Sequence, residues 1–217
     1  MEIILLKYPE NTSWISLEGF LGCLTPARRS GVLKKKTERD RINALLSRLL
    51  MLSEIESRTG IKQAKVEFTH GAHGKPYIKN SDLQFSLSHT KNAICLAFSE
   101  NPEYGEIGVD IERRDRAIKP ENYKRVLCDE ELDAVENGEN FIRFWVQKEA
   151  FLKRMGLGIS RDLRGVNTLT LPNTAVAEHG DYYIGVSGKE INKNEEVQVH
   201  EIELSALLDR YIKRLGA

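Results

Sequence analysis

The chain has 217 residues, of which 41% are hydrophobic and 29% charged, a make-up that fits an ordinary soluble globular protein with one large or two small domains. Lys plus Arg and Asp plus Glu balance at 32 each, so no global field draws the chain to nucleic acid or membrane, and any anion site must be built locally. No apolar run approaches the roughly 20 residues that cross a bilayer. Glu2 is wrong for the start of a signal peptide, and the apolar stretch after it is too short. Cys23, Cys95 and Cys128 are odd in number and far apart, which suits a reducing cytoplasm rather than a disulfide framework.

The elements follow in order. Residues 2–7 read as a strand. From Pro26 to about Arg58 the pattern is helical, with Leu45, Leu46, Leu49, Leu50 and Leu52 clustered and Gly60 as the stop. Lys65–Thr69 alternates like a short strand, and Gly71–Pro76 is a loop with two glycines and a proline. Gln84–Ser88 and Ala93–Phe98 read as two strands joined by a turn at His89–Asn92, with Cys95 a small core residue. Ile107–Glu112 is a period-two strand. The strongest helix is Phe141–Met155, stopped by Gly156 and Gly158. Strand-like runs follow at Val166–Leu171, Tyr182–Val186 and Val197–Leu204, then a short helix at Ala206–Leu215. Each half carries a strand, helix and small sheet. The expectation is an α+β fold of two pseudo-equivalent halves, residues 1–100 and 101–217, meeting along a cleft, with the boundary near 99–106.

Four segments carry candidate chemistry. On the strand Gly108–Glu112, the residues Gly108, Asp110 and Glu112 share one face, so two carboxylates lie close and repel unless a cation stands between them. The bland alternative is a solvated acidic strand face. On the helix, Trp145, Glu149 and Lys153 share a face at i, i+4, i+8, where Glu149–Lys153 taken alone reads first as a surface salt bridge. Phe85…Ser88-His89 ends a strand in a hydroxyl and an imidazole, either a turn bond or a phosphate contact. Gly74-Lys75-Pro76 is a loop where backbone can approach a ligand closely.

In this order and at these separations, over residues 74 to 153, the segments resemble the Sfp-type phosphopantetheinyl transferase family. Its pattern is Gly-Lys-Pro, Phe-x-x-Ser-His, Gly-(Val/Ile)-Asp-(Ile/Val)-Glu and Trp-x-x-Lys-Glu-(Ala/Ser)-x-x-Lys. The resemblance implies transfer of phosphopantetheine from coenzyme A to a serine of an acyl or peptidyl carrier protein, releasing 3′,5′-ADP, as in a holo-[acyl-carrier-protein] synthase. It implies Mg²⁺ held by Asp110, Glu112 and Glu149, with Glu149 also a candidate general base. Lys148 and Lys153 would contact the pyrophosphate, Lys153 as a catalytic residue. Ser88 and His89 would bind coenzyme A phosphates. Lys75 would lie at the adenine and 3′-phosphate edge, with His73 a possible neighbour of the adenine. Arg28 is the candidate for the 3′-phosphate, Arg41 a further family position. A lysine that the family carries three residues after Arg28 is missing, because Gly31 stands there.

Rival readings are a non-catalytic coenzyme A- or carrier-binding module and a Mg²⁺-dependent hydrolase of the coenzyme A pyrophosphate. His70-x-x-His73 could hold a transition metal, but a plain loop is the simpler reading. The basic run from Arg28-Arg29 to Lys34-Lys35-Lys36 lies on or before a helix that carries Glu38 and Asp40 and has no stacking aromatics, against nucleic-acid binding. A cleft within one chain suits a monomer.

Overall fold

The computed structural model describes residues 1–100, 105–158, 163–192 and 197–215. Residues 101–104, inside the expected boundary, lie outside it.

The first sheet has the order β4-β5-β1-β9, from β1 (Glu2–Lys7), β4 (Gln84–His89), β5 (Ala93–Ser99) and β9 (Val199–Glu203). Its period-two alternation divides two cores. Ile4, Leu6, Ile94, Leu96 and Phe98 face the helix α2 (Glu38–Thr59), packing on Ile42, Leu45, Leu46, Leu49 and Leu50. Ile3, Leu5, Ala93, Cys95 and Ala97 face the other way, onto Ile107, Val109 and Ile111. The small residues on β5 let a second layer come close. Cys95 is a core residue, and burial pushes its thiol far above the ordinary range.

That second layer is the antiparallel sheet β6-β8-β7, from β6 (Gly108–Arg113), β7 (Thr174–His179) and β8 (Tyr182–Ser187). Helix α5 (Gly138–Met155) lies across it. The Asn137 side chain caps its start by accepting from Asn140 N at 3.0 Å, and Gly156 ends it at φ 62°. Two glycines set how deep α5 sits. A Cβ at Gly108 would lie 1.9 Å from the Ala150 carbonyl oxygen, and one at Gly185 2.2 Å from that of Val146. No side chain fits there, so the helix backbone rests on the sheet.

The single long helix expected over 26–58 is two: α1 (Pro26–Leu33) and α2, restarted by Thr37, whose hydroxyl accepts from Asp40 N at 3.1 Å. Gly60 caps α2 at φ 72°, as its position predicts. The strand expected at Lys65–Thr69 is a turn at Gln63–Lys65 followed by β2 (Phe68–His70), which pairs with the unexpected β3 (Pro76–Ile78). Val166–Leu171 is not a strand. Its Thr168 sends both backbone N–H and hydroxyl to Glu131 Oε1, at 2.8 and 2.7 Å, so a carboxylate meets the demand that a neighbouring strand would have met. Short helices α3 (Tyr123–Val126) and α4 (Asp129–Ala134) carry Glu131.

The chain's last part crosses the expected division into residues 1–100 and 101–217. β9 pairs parallel with β1, and Leu207 and Tyr211 of α6 (Leu204–Leu215) join the α2 core. Tyr211 donates to the Leu49 carbonyl at 2.6 Å.

Candidate active site

β4 and β6 stand side by side across the join between the two sheets. A stripe of hydroxyls on β4 and the turn after it bridges the gap. Ser86 Oγ accepts from Val109 N at 3.0 Å, Ser88 donates to Asp110 Oδ1 at 2.6 Å, and Thr90 donates to Glu112 Oε1. The alternation Ser86, Ser88, Thr90 was visible in the sequence, but its targets were not. Because α5 sits so low, Glu149 comes up against Asp110.

Asp110 accepts from Ser88 and pairs with Lys153 Nζ at 2.7 Å. Lys153 is therefore not tied to Glu149 in a surface helix pair. Glu149 is 4% exposed, and its Oε1 is buried with no hydrogen-bond partner among the described residues. Burial raises its pKa, and the nearby Asp110 raises it further, against a smaller opposing pull from Lys153. Glu112 lies farther along β6, held by Thr90, by Arg113 N at 2.9 Å and by an ion pair with Arg116. Among the described residues no three His, Cys, Asp or Glu side chains form a ready metal cluster. The acidic partners present are the close pair Asp110 and Glu149, with Glu112 engaged by Arg116.

Lys153 also lines a pocket of about 560 Å³ that opens between the halves. Its wall includes Arg28, Ser47, Arg48, Phe68, His73 and Lys75. Arg28 donates to the carbonyls of Gln63 (2.9 Å) and Val66 and stands 6.0 Å over the Phe68 ring. His89 stands at the end of β4, where partial loss of water around the ring and then the nearby Lys153 lower its pKa.

Three expected phosphate contacts have other partners in the structure. Lys148 is 0% exposed, as is its partner Glu131 at 2.6 Å. Its other protons go to the carbonyls of Leu163 (2.9 Å) and Val166, so it cannot reach a pyrophosphate. Glu131 was missed, yet the sequence held a clue to the burial of Lys148. It falls on the apolar stripe Phe141–Trp145–Lys148–Leu152 at i, i+4, i+7, i+11. Lys75 lines the pocket, but its ammonium is engaged elsewhere. Its ammonium donates to Glu106 (2.9 Å), the Ile107 carbonyl (3.2 Å) and the Arg154 carbonyl (2.7 Å), a cation at the C-terminus of α5. Ser88 gives its proton to Asp110 and so orients that carboxylate. Arg41 lies over the Trp14 ring at 5.8 Å. His70 and His73 both line the pocket without forming a metal cluster among the described residues.

Comparison with known proteins covers both halves. The family model described as 4′-phosphopantetheinyl transferase superfamily matches residues 106–205, and the one described as 4′-phosphopantetheinyl transferase, N-terminal, matches residues 9–101. The chain is similar to the L-aminoadipate-semialdehyde dehydrogenase-phosphopantetheinyl transferase of Candida glabrata, with 29% identity over 63% of this chain and 56% of that protein. It is similar to the 4′-phosphopantetheinyl transferase Sfp of Bacillus subtilis, with 25% identity over 86% of this chain and 80% of that protein. The Saccharomyces cerevisiae L-aminoadipate-semialdehyde dehydrogenase-phosphopantetheinyl transferase is 24% identical over 93% of this chain and 86% of its own length.

Proposed function

The chain belongs to the 4′-phosphopantetheinyl transferase family, and from that premise we propose that it transfers the phosphopantetheine arm of coenzyme A to a serine of an acyl or peptidyl carrier protein, as a Mg²⁺-dependent holo-carrier synthase acting as a monomer. The observation that carries the site assignment is the unpartnered, buried Glu149 oxygen beside the Asp110–Lys153 pair.

A divalent ion fits this set. Two hard carboxylates lie together in a dry place, and one of their oxygens has no protein donor. Asp110, Glu149 and, once released by Arg116, Glu112 would hold it. When bound, Mg²⁺ would supply positive charge to the diphosphate of the substrate. Lys153, at the boundary of the acidic pair and the pocket, gives the diphosphate a fixed ammonium. Ser88 keeps Asp110 in one orientation. Glu149 would take the proton of the carrier serine. A bond forms from that serine oxygen to the β-phosphorus, and the bond from this phosphorus to the bridging oxygen breaks. Its electron pair leaves with 3′,5′-ADP. No protein nucleophile takes part.

The test is to incubate the protein with coenzyme A, Mg²⁺ and an apo carrier protein and weigh the carrier by mass spectrometry. A phosphopantetheine mass gain is expected. Free phosphopantetheine without that gain would make the protein a hydrolase, and no change would leave a binding module. Calorimetry should also show coenzyme A binding tightened by Mg²⁺. Equal affinity with and without the ion would separate the carboxylates from the diphosphate.

A further inference from the structure

The two oxygens of Glu112 have different kinds of partner. Oε1 accepts from the Thr90 hydroxyl and from Arg113 N at 2.9 Å. Both donors are neutral and belong to the frame, one on the turn after β4 and one on β6 itself. Oε2 instead meets a cation, the Arg116 guanidinium. Arg116 follows the end of β6, where a turn closed by its N–H on the Arg113 carbonyl (3.3 Å) carries the side chain back over Glu112. The carboxylate is thus oriented by groups that stay and capped by one that can leave.

Exposure separates the two partners. The Glu112 side chain is 13% exposed and that of Arg116 48%. The guanidinium carbon also stands 6.0 Å from the centre of the Trp145 ring. Arg116 borders two hollows, one beside Trp145 and Phe141, the other beside Thr90 and Lys91. Open space and water therefore lie next to it, and leaving Glu112 costs an exposed ion pair little. Charge gives the reason to leave. With Lys153 on Asp110 and Arg116 on Glu112, the ionised set Asp110, Glu112 and Glu149 keeps one negative charge uncompensated, and Glu149 Oε1 has no partner among the described residues. Exchanging Arg116 for a divalent ion compensates all three and frees a hard oxygen for it.

We propose that Arg116 is a built-in competitor of the metal, a counter-ion that holds Glu112 in the ion-free protein and must be expelled when a divalent ion binds. The inference rests on the reading of Asp110, Glu112 and Glu149 as a metal set. Thr90 and Arg113 N hold the carboxylate through the exchange. Arg116 thereby steadies the ion-free site and weakens its hold on the ion, two effects of opposite sign from one contact.

The test reads metal binding, not turnover. The protein is titrated with Mn²⁺, which shares the oxygen ligands of Mg²⁺, and the free ion is followed by electron paramagnetic resonance. Arg116→Ala should bind Mn²⁺ about two- to fivefold more tightly than the wild type, the scale of one exposed ion pair. In a Glu112→Gln background the same substitution should leave the affinity unchanged. Without metal, Arg116→Ala should melt about 1–4 °C below the wild type. That gap should close as Mn²⁺ saturates both proteins, because the arginine then holds nothing. Unchanged or weaker binding in Arg116→Ala overturns the proposal. So does equal tightening in the Glu112→Gln background, which would reflect only the loss of a nearby cation, and so does a melting gap that persists at saturating Mn²⁺, the mark of a plain structural contact. The reading beneath fails separately. A wild type that takes up no Mn²⁺, or a Glu149→Gln variant that binds it as well as the wild type, removes the metal set and this proposal with it. Binding lost in Glu149→Gln but unmoved by Arg116→Ala keeps the metal set and removes only the competitor.

Discussion

Lys148 and Lys153 stand on the same helix and make ion pairs of almost the same length, 2.6 Å to Glu131 and 2.7 Å to Asp110. Their surroundings separate them. Lys148 and Glu131 have no exposure, and backbone carbonyls and Thr168 fill their remaining bonding positions. Lys153 is 28% exposed and faces a pocket, and the carboxylate next to its partner has an unpaired oxygen. Distance alone does not tell scaffold from reactive centre. Completion does: the saturated pair fixes α5 to the loop at 163–168, and the unsaturated one is left to bind.

The comparison breaks most readily at Lys148. Lys148→Met leaves Glu131 charged and buried without its partner, and should cost about 3–5 kcal/mol in urea unfolding. Lys153→Met should cost about 1 kcal/mol or less. Equal losses would show that the two pairs are alike. Next comes Glu149→Gln, expected to slow carrier modification by ~10²–10³. Its melting temperature without added metal should not fall, because the change removes a charge that burial already disfavours. A matched loss of activity and stability would make Glu149 part of the frame. The smallest effect is Lys153→Ala. Loss of one charge-assisted bond to the substrate corresponds to about 1.5–3 kcal/mol, a ten- to hundredfold slower single turnover with the fold intact. An unchanged rate and unchanged coenzyme A affinity would reduce Lys153 to the partner of Asp110.

The readable parts of the site were those set by local periodicity. Asp110 and Glu112 share a strand face because strands alternate, and Glu149 and Lys153 share a helix face because helices repeat every 3.6 residues. The caps at Gly60 and Gly156 were legible for the same reason, since left-handed backbone favours glycine. What failed depended on partners far along the chain. Lys148 looked like a phosphate ligand until Glu131 met it, and Val166–Leu171 looked like a strand until Glu131 took the bonds of Thr168. Strand β3 is three residues long and opens on a proline, too short for alternation to register. The return of β9 to β1 joins segments that no local pattern connects.

That return bears on how the molecule is made. As the chain leaves the ribosome, β1 can pair with β5 well before β9 is made, but its other edge stays bare until residues 199–203 arrive. An open strand edge invites pairing with neighbouring chains. The late closure also gives the sheet contacts of very long sequence separation, which slow folding. The interval between β5 and β9 thus leaves one edge of the first sheet open on the nascent chain, and α6, which follows β9, then locks Tyr211 onto the Leu49 carbonyl.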